Sequence, residues 1–134
     1  MTKKLVRQFL PLLAFVCFSG LLCGGNERLL AQSSSRPCGP DSIKGPLRLL
    51  IPQGAAGADF RSACRNHDAC YDQLGSNRHQ CDLQFRADML CACESARNPR
   101  RCKRKANTMY KLVAKHGGEA FSSAQSIAAS KAHN

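Results

Sequence analysis

The chain has 134 residues, nine of them cysteine and none tryptophan, with 20 Lys and Arg against 9 Asp and Glu for a formal net charge of +11. That length fits one domain. So basic a chain directs attention to anionic partners, but no aromatic residues interleave with its densest basic run, which argues against nucleic acid.

Lys3, Lys4 and Arg7 precede an apolar run from Phe9 to Cys23 interrupted only by Pro11, Ser19 and Gly20. Charge followed by a short apolar stretch is the layout of a secretory signal peptide, expected over residues 1–31 with cleavage between Gly25 and Ala31. The run is shorter than the roughly 20 apolar residues that a membrane span requires. The mature domain, 32–134, is therefore expected to be secreted, extracellular and monomeric. Removing the leader takes Cys17 and Cys23 with it and leaves seven cysteines, which read as a disulfide scaffold with one thiol over.

Residues 32–58 are rich in Ser, Gly and Pro, with one apolar patch from Leu47 to Pro52, and read as an ordered loop region without regular structure. Phe60, Ala63, Cys64, His67, Cys70, Tyr71 and Leu74 then recur at helical spacing, predicting a helix over 59–74 capped by Asp59 and stopped by Gly75. A second helix is predicted over 80–94, its inner face made by Cys81, Phe85, Met89 and Ala92. Asn98-Pro99 breaks the chain before a third, over 100–116, with Cys102, Ala106, Met109, Tyr110 and Val113 inward and Gly117-Gly118 at its end. The Ala- and Ser-rich remainder suggests a short helix around Phe121 and a frayed tail. The expected fold class is all-α, a small disulfide-stabilised domain.

The short connection between the first two helices makes them antiparallel neighbours. Cys70 then comes opposite Cys81, which predicts a bridge there. His67 lies one turn below Cys70, within reach of Asp82; Asp88, farther along the same helix, is the other carboxylate that this pairing allows. Cys93 and Cys102 flank the Asn98-Pro99 turn and form a natural further pair.

The chemistry of this region points to hydrolysis. An ester is attacked well by water only when a base takes a proton and something stabilises the oxyanion. Histidine, with a reference pKa near 6.5, suits the first task at neutral pH. A carboxylate on its second nitrogen would orient the ring. Asp68 projects about 100° away from His67 on the helix, and an aspartate joined by backbone carbonyls is a hard-oxygen set suited to Ca²⁺.

Cys64-Arg65-Asn66-His67-Asp68-Ala69-Cys70-Tyr71, followed by Cys81-Asp82, resembles the catalytic core of secreted phospholipase A2 enzymes, in particular their short microbial and fungal-type branches. The likeness runs from about Cys38 to Cys102 and weakens toward Gln125. It implies His67 as catalytic base, Asp82 as its orienting carboxylate in preference to Asp88, and Tyr71 hydrogen-bonded to that aspartate. It further implies a Cys38–Cys64 bridge, which leaves Cys91 as the odd thiol, and a Ca²⁺ site built from Asp68 and an N-terminal calcium-binding loop around Cys38, with Gly39 giving a backbone carbonyl and Asp41 a carbonyl or its side chain. The loop Arg36-Pro37-Cys38-Gly39-Pro40-Asp41 departs from the common pattern, because it lacks the tyrosine and most of the glycines.

The activity implied is calcium-dependent hydrolysis of the sn-2 ester of glycerophospholipids. Arg97, Arg100, Arg101, Lys103, Arg104 and Lys105 would form a basic patch facing an anionic phospholipid membrane surface. The alternatives are a non-catalytic relative that binds membranes or a receptor through that face, and a hydrolase aimed at a different ester.

Overall fold

The computed structural model describes residues 36–40 and 45–133. The expected leader, residues 1–31, and Asp41 lie outside them. The described chain is mostly helical. A 3₁₀ helix, Gly45–Leu50, leads into a two-stranded hairpin of β1 (Gly54–Ala55) and β2 (Ala58–Asp59). Four α-helices follow: α1 (Arg61–Asp72), α2 (Arg78–Ala92), α3 (Pro99–His116) and α4 (Gly118–Ala132), with one 3₁₀ turn, Cys93–Ser95, between α2 and α3.

The described part of the 32–58 region is thus more regular than expected. Its hairpin turns at Ala56 and Gly57, both at positive φ, 51° and 93°. Two left-handed central residues match the right-handed twist of the paired strands. Alanine in the first of these places hid the turn from a reading based on glycine and asparagine.

Helix α1 starts later and ends earlier than predicted. Phe60 occupies the N-cap and offers no side-chain cap, while Asp59 sits in β2 and its Oδ1 accepts the Arg61 amide at 2.9 Å. The helix stops at Asp72, so Leu74 leaves the inward stripe and is 53% exposed. Asn77 caps α2 by accepting the Gln80 amide, and Asn98 caps α3 by accepting the Arg101 amide ahead of which Pro99 needs no donor.

The first two helices run antiparallel, as successive contacts show. Cys70 is bonded to Cys81, His67 meets Asp82 and Phe85, and Asn66 reaches Asp88, so α2 ascends as α1 descends. α3 packs on α2, where Arg86 both donates to Asn107 at 2.7 Å and lies over the Tyr110 ring. Phe60, Phe85, Met89, Cys93, Cys102 and Ala106 form the centre of the core.

Three disulfides, Cys38–Cys64, Cys70–Cys81 and Cys93–Cys102, tie the loop to α1, α1 to α2, and the α2 end to α3. Each closes a covalent loop around a small core, a constraint typically worth about 2–4 kcal/mol. Cys91 is not the odd thiol expected, because it too is disulfide-bonded. The other six described cysteines pair among themselves, so its partner lies outside the described residues.

The expected frayed tail is a 15-residue helix, α4, lying against α1. Phe121 meets the Tyr71 ring edge-on at 5.1 Å between centroids. Gln125 donates to the carbonyls of Tyr71 (2.7 Å) and Gln73 (3.0 Å) and accepts the Gly75 amide at 2.8 Å. One side chain therefore serves the Tyr71 carbonyl in the last turn of α1 and two backbone groups just beyond it, while the Gln73 amide caps the Cys70 carbonyl. Gln125→Leu should lower stability by about 1 kcal/mol in urea denaturation, because the part-buried Tyr71 carbonyl loses its partner together with two exposed bonds.

Candidate active site

The residues singled out in α1 and α2 converge on one buried carboxylate. Asp82 is 1% exposed, and its Oδ1 lies 2.8 Å from His67 Nε2 and accepts the Tyr71 hydroxyl at 2.7 Å. Asp88, the other carboxylate that the sequence allowed, is taken up elsewhere: Asn66 donates to one of its oxygens and Gln84 to the other. The covalent bond between Cys70 and Cys81 sets the register, placing Asp82 beside the turn of α1 that carries His67 and Tyr71.

Aromatic rings fix the imidazole. Phe85 lies 4.6 Å and Tyr71 4.2 Å from its centroid. With Nε2 donating to the Asp82 carboxylate, the Nδ1 lone pair is the free one. Nδ1 has no hydrogen-bond partner among the described residues, and it is not sealed from solvent. Burial drives the His67 pKa below the ordinary histidine value, against the opposing pull of the Asp82 hydrogen bond and charge. The ring is therefore neutral at pH 7 and able to take a proton. Burial, with the hydrogen bond and charge of Asp82 adding to it, pushes the Tyr71 phenol far above its usual range, so it stays a donor.

Two features around Tyr71 escaped the sequence reading. Phe121 and Gln125 reach it from α4, a helix whose Ala/Ser composition gives no strong apolar stripe. The α3–α4 junction also passes very close, since a Cβ on Gly117 would stand 2.8 Å from the Tyr71 hydroxyl and 2.6 Å from the Val113 carbonyl. Glycine there looked like a helix stop; its smallness also makes room for the phenol.

Asp68 is exposed on α1, four residues after Cys64 and so on the face to which the Cys38 loop is bonded. Among the described residues no group of three or more His, Cys, Asp or Glu side chains is placed to hold a metal ion. A site of one carboxylate and backbone carbonyls would contain no such group, and oxygen donors of this kind fit Ca²⁺. The Cys38 carbonyl itself is committed, since it accepts Gln53 Nε2 at 3.1 Å. Those of Pro37 and Gly39 accept no hydrogen bond among the described residues.

The basic run divides. Lys103 pairs with Glu94 at 2.8 Å, and Arg97 lays its stem across Gly57 while its amide donates to Ala56. Arg100, Arg101 and Arg104 are exposed in the first turns of α3, where no acidic residue offsets them.

No protein-family model, curated protein or solved structure matches the chain. None of the described helices is long and apolar enough to cross a membrane.

The histidine shift has a consequence for stability. Folding disfavours the imidazolium, so the contribution of His67 is fully present above the unfolded value of 6.5 and is lost as pH falls from there through the lower folded value. Denaturation midpoints of the wild type should drop across that window, and His67→Gln should flatten that part of the profile.

Proposed function

We propose that this chain is a calcium-dependent hydrolase of the phospholipase A2 type, cleaving the sn-2 ester of glycerophospholipids to a fatty acid and a lysophospholipid. The observation that carries the reading is the hydrogen-bonded set His67, Asp82 and Tyr71, with the imidazole neutral and its Nδ1 open. The substrate class and the bond position rest on the resemblance of the motif.

In this reading Nδ1 of His67 draws a proton from a water molecule as that water attacks the ester carbonyl. Asp82 holds the ring in the required tautomer and favours the imidazolium that forms. Tyr71 donates to the same carboxylate oxygen, Phe121 packs against its ring, and Gly117 leaves room for its hydroxyl. The imidazolium then returns the proton to the departing alcohol. When bound, Ca²⁺ held by Asp68 and the carbonyls of Pro37 and Gly39 would supply the positive charge that stabilises the oxyanion.

Two surface features support a lipid substrate. Leu47, Leu49 and Leu50 stand 64%, 65% and 76% exposed on one short 3₁₀ helix, an unfavourable arrangement in water that contact with acyl chains would relieve. Arg100, Arg101 and Arg104 offer positive charge to an anionic headgroup layer, each worth about 1 kcal/mol near such a surface. The chain would then work as a secreted, monomeric enzyme.

Three outcomes test the reading. His67→Gln should lower fatty-acid release by about 10²–10⁴-fold while near-UV circular dichroism stays that of the wild type; full turnover in that variant would refute the mechanism. Asp68→Asn should remove both activity and the heat of Ca²⁺ binding in calorimetry. Changing Arg100, Arg101 and Arg104 together to Gln should weaken sedimentation with anionic vesicles and flatten its salt dependence, leaving hydrolysis of a monomeric short-chain ester intact.

A further inference from the structure

The segment before the hairpin carries its side chains inside out. On the 3₁₀ helix Gly45–Leu50 the leucines face solvent, while Arg48 turns back onto the loop 36–40. Its Nη1 donates to the Pro40 carbonyl at 3.0 Å and its Nη2 to the Arg36 carbonyl at 3.1 Å. Gln53 takes the residue midway between: its Oε1 accepts the Cys38 amide and its Nε2 donates to the Cys38 carbonyl, both at 3.1 Å. Arg36 closes the set by donating to the carbonyls of Leu49 and Ile51, each at 2.9 Å.

Every second carbonyl of the loop, at 36, 38 and 40, is thus held by a side chain from 48–53. Those at 37 and 39 are left without a hydrogen bond among the described residues. Gly39 sits at φ 111°, where a Cβ would strike Ile51 Cδ1, so the loop is also pressed onto the same segment. Cys38, between the two open carbonyls, is bonded to Cys64, one turn before Asp68 on α1.

We propose that Arg48 and Gln53 are positioning residues for a Ca²⁺ site formed by Asp68 with the carbonyls of Pro37 and Gly39. This rests on the calcium reading above and adds to it how a loop with a single glycine keeps a fixed shape. A free loop must be ordered when the ion arrives, and that entropy is subtracted from affinity; a clamped one is ordered beforehand. The guanidinium bridges two carbonyls that a lysine ammonium, a point donor on a flexible stem, does not hold in the same fork. Neither residue touches the ion.

Calorimetric titration of CaCl₂ into the full chain separates the possibilities. The wild type should bind, Arg48→Met and Gln53→Leu should bind about 10–100-fold more weakly, as for other residues that orient metal ligands, and Arg48→Lys should fall between. Leu50→Ser, in the same segment but outside the clamp, should match the wild type. Hydrogen exchange at the Cys38 amide in the calcium-free protein should accelerate in Gln53→Leu, which a role confined to global stability would not single out. Wild-type or tighter Ca²⁺ affinity in folded Arg48→Met and Gln53→Leu would overturn the clamp and leave the calcium site standing. Should Arg48→Met fail to fold, Arg48→Lys and Gln53→Leu decide the matter alone. Failure of the wild type to bind Ca²⁺ would overturn the site and the clamp together.

Discussion

Burying the carboxylate of Asp82 is the constraint around which the rest of the molecule is arranged. A carboxylate at 1% exposure is costly unless donors meet it, and two of them, from one turn of α1, converge on a single oxygen. Supplying both donors requires α1 and α2 to be antiparallel at one register. The Cys70–Cys81 bond enforces that register from the adjacent residue. Phe85 closes over the imidazole, so the apolar packing that shields the carboxylate also keeps the ring neutral. Core packing and proton chemistry are in this sense one arrangement.

What the sequence made legible follows from how locally each feature is encoded. His67, Cys70 and Tyr71 share a face because helical periodicity says so, and the short connection after α1 leaves antiparallel packing as the simple solution. The choice between Asp82 and Asp88 was different: spacing allowed both, and only packing shows Asn66 and Gln84 satisfying Asp88. The length of helix α4 was underestimated because Ala and Ser favour no face, so its place is fixed by two contacts, Phe121 on Tyr71 and Gln125 on the end of α1. Leu74 was misplaced for a related reason, since an apolar residue in register says nothing about whether the helix reaches it. The hairpin was hidden by Ala56 in a left-handed conformation that alanine adopts only when the surrounding bonds demand it. The Arg97 amide supplies one such bond, to the Ala56 carbonyl.

The segment 45–53 shows why composition misleads in small domains. Leu47 to Pro52 is the one apolar patch of the region before the hairpin, yet its three leucines are solvent-facing and its arginine is the residue that turns back onto the loop. An arginine can do this without burying an unpaired charge, because its five donors reach backbone carbonyls in several directions while its stem covers apolar surface. The inward arginine and outward leucines arise together, since a short 3₁₀ helix that presents one face to the loop must present the other to solvent.

Helix α1 joins these parts. Within eight residues it carries Cys64 bonded to the loop, His67 and Tyr71 bonded to Asp82, Asp68 above Cys64, and Cys70 bonded to α2. Residues on one such rigid rod cannot shift independently, so a tilt that improved the imidazole–carboxylate hydrogen bond would also move Asp68 relative to the loop. The two disulfides restrain that tilt from different faces of the helix, as Cys64 and Cys70 are six residues, or about 120° around the axis, apart. Fixing the ends of this segment to two different elements allows a helix of only twelve residues to hold both a proton-accepting nitrogen and a carboxylate in place without a large core beneath them.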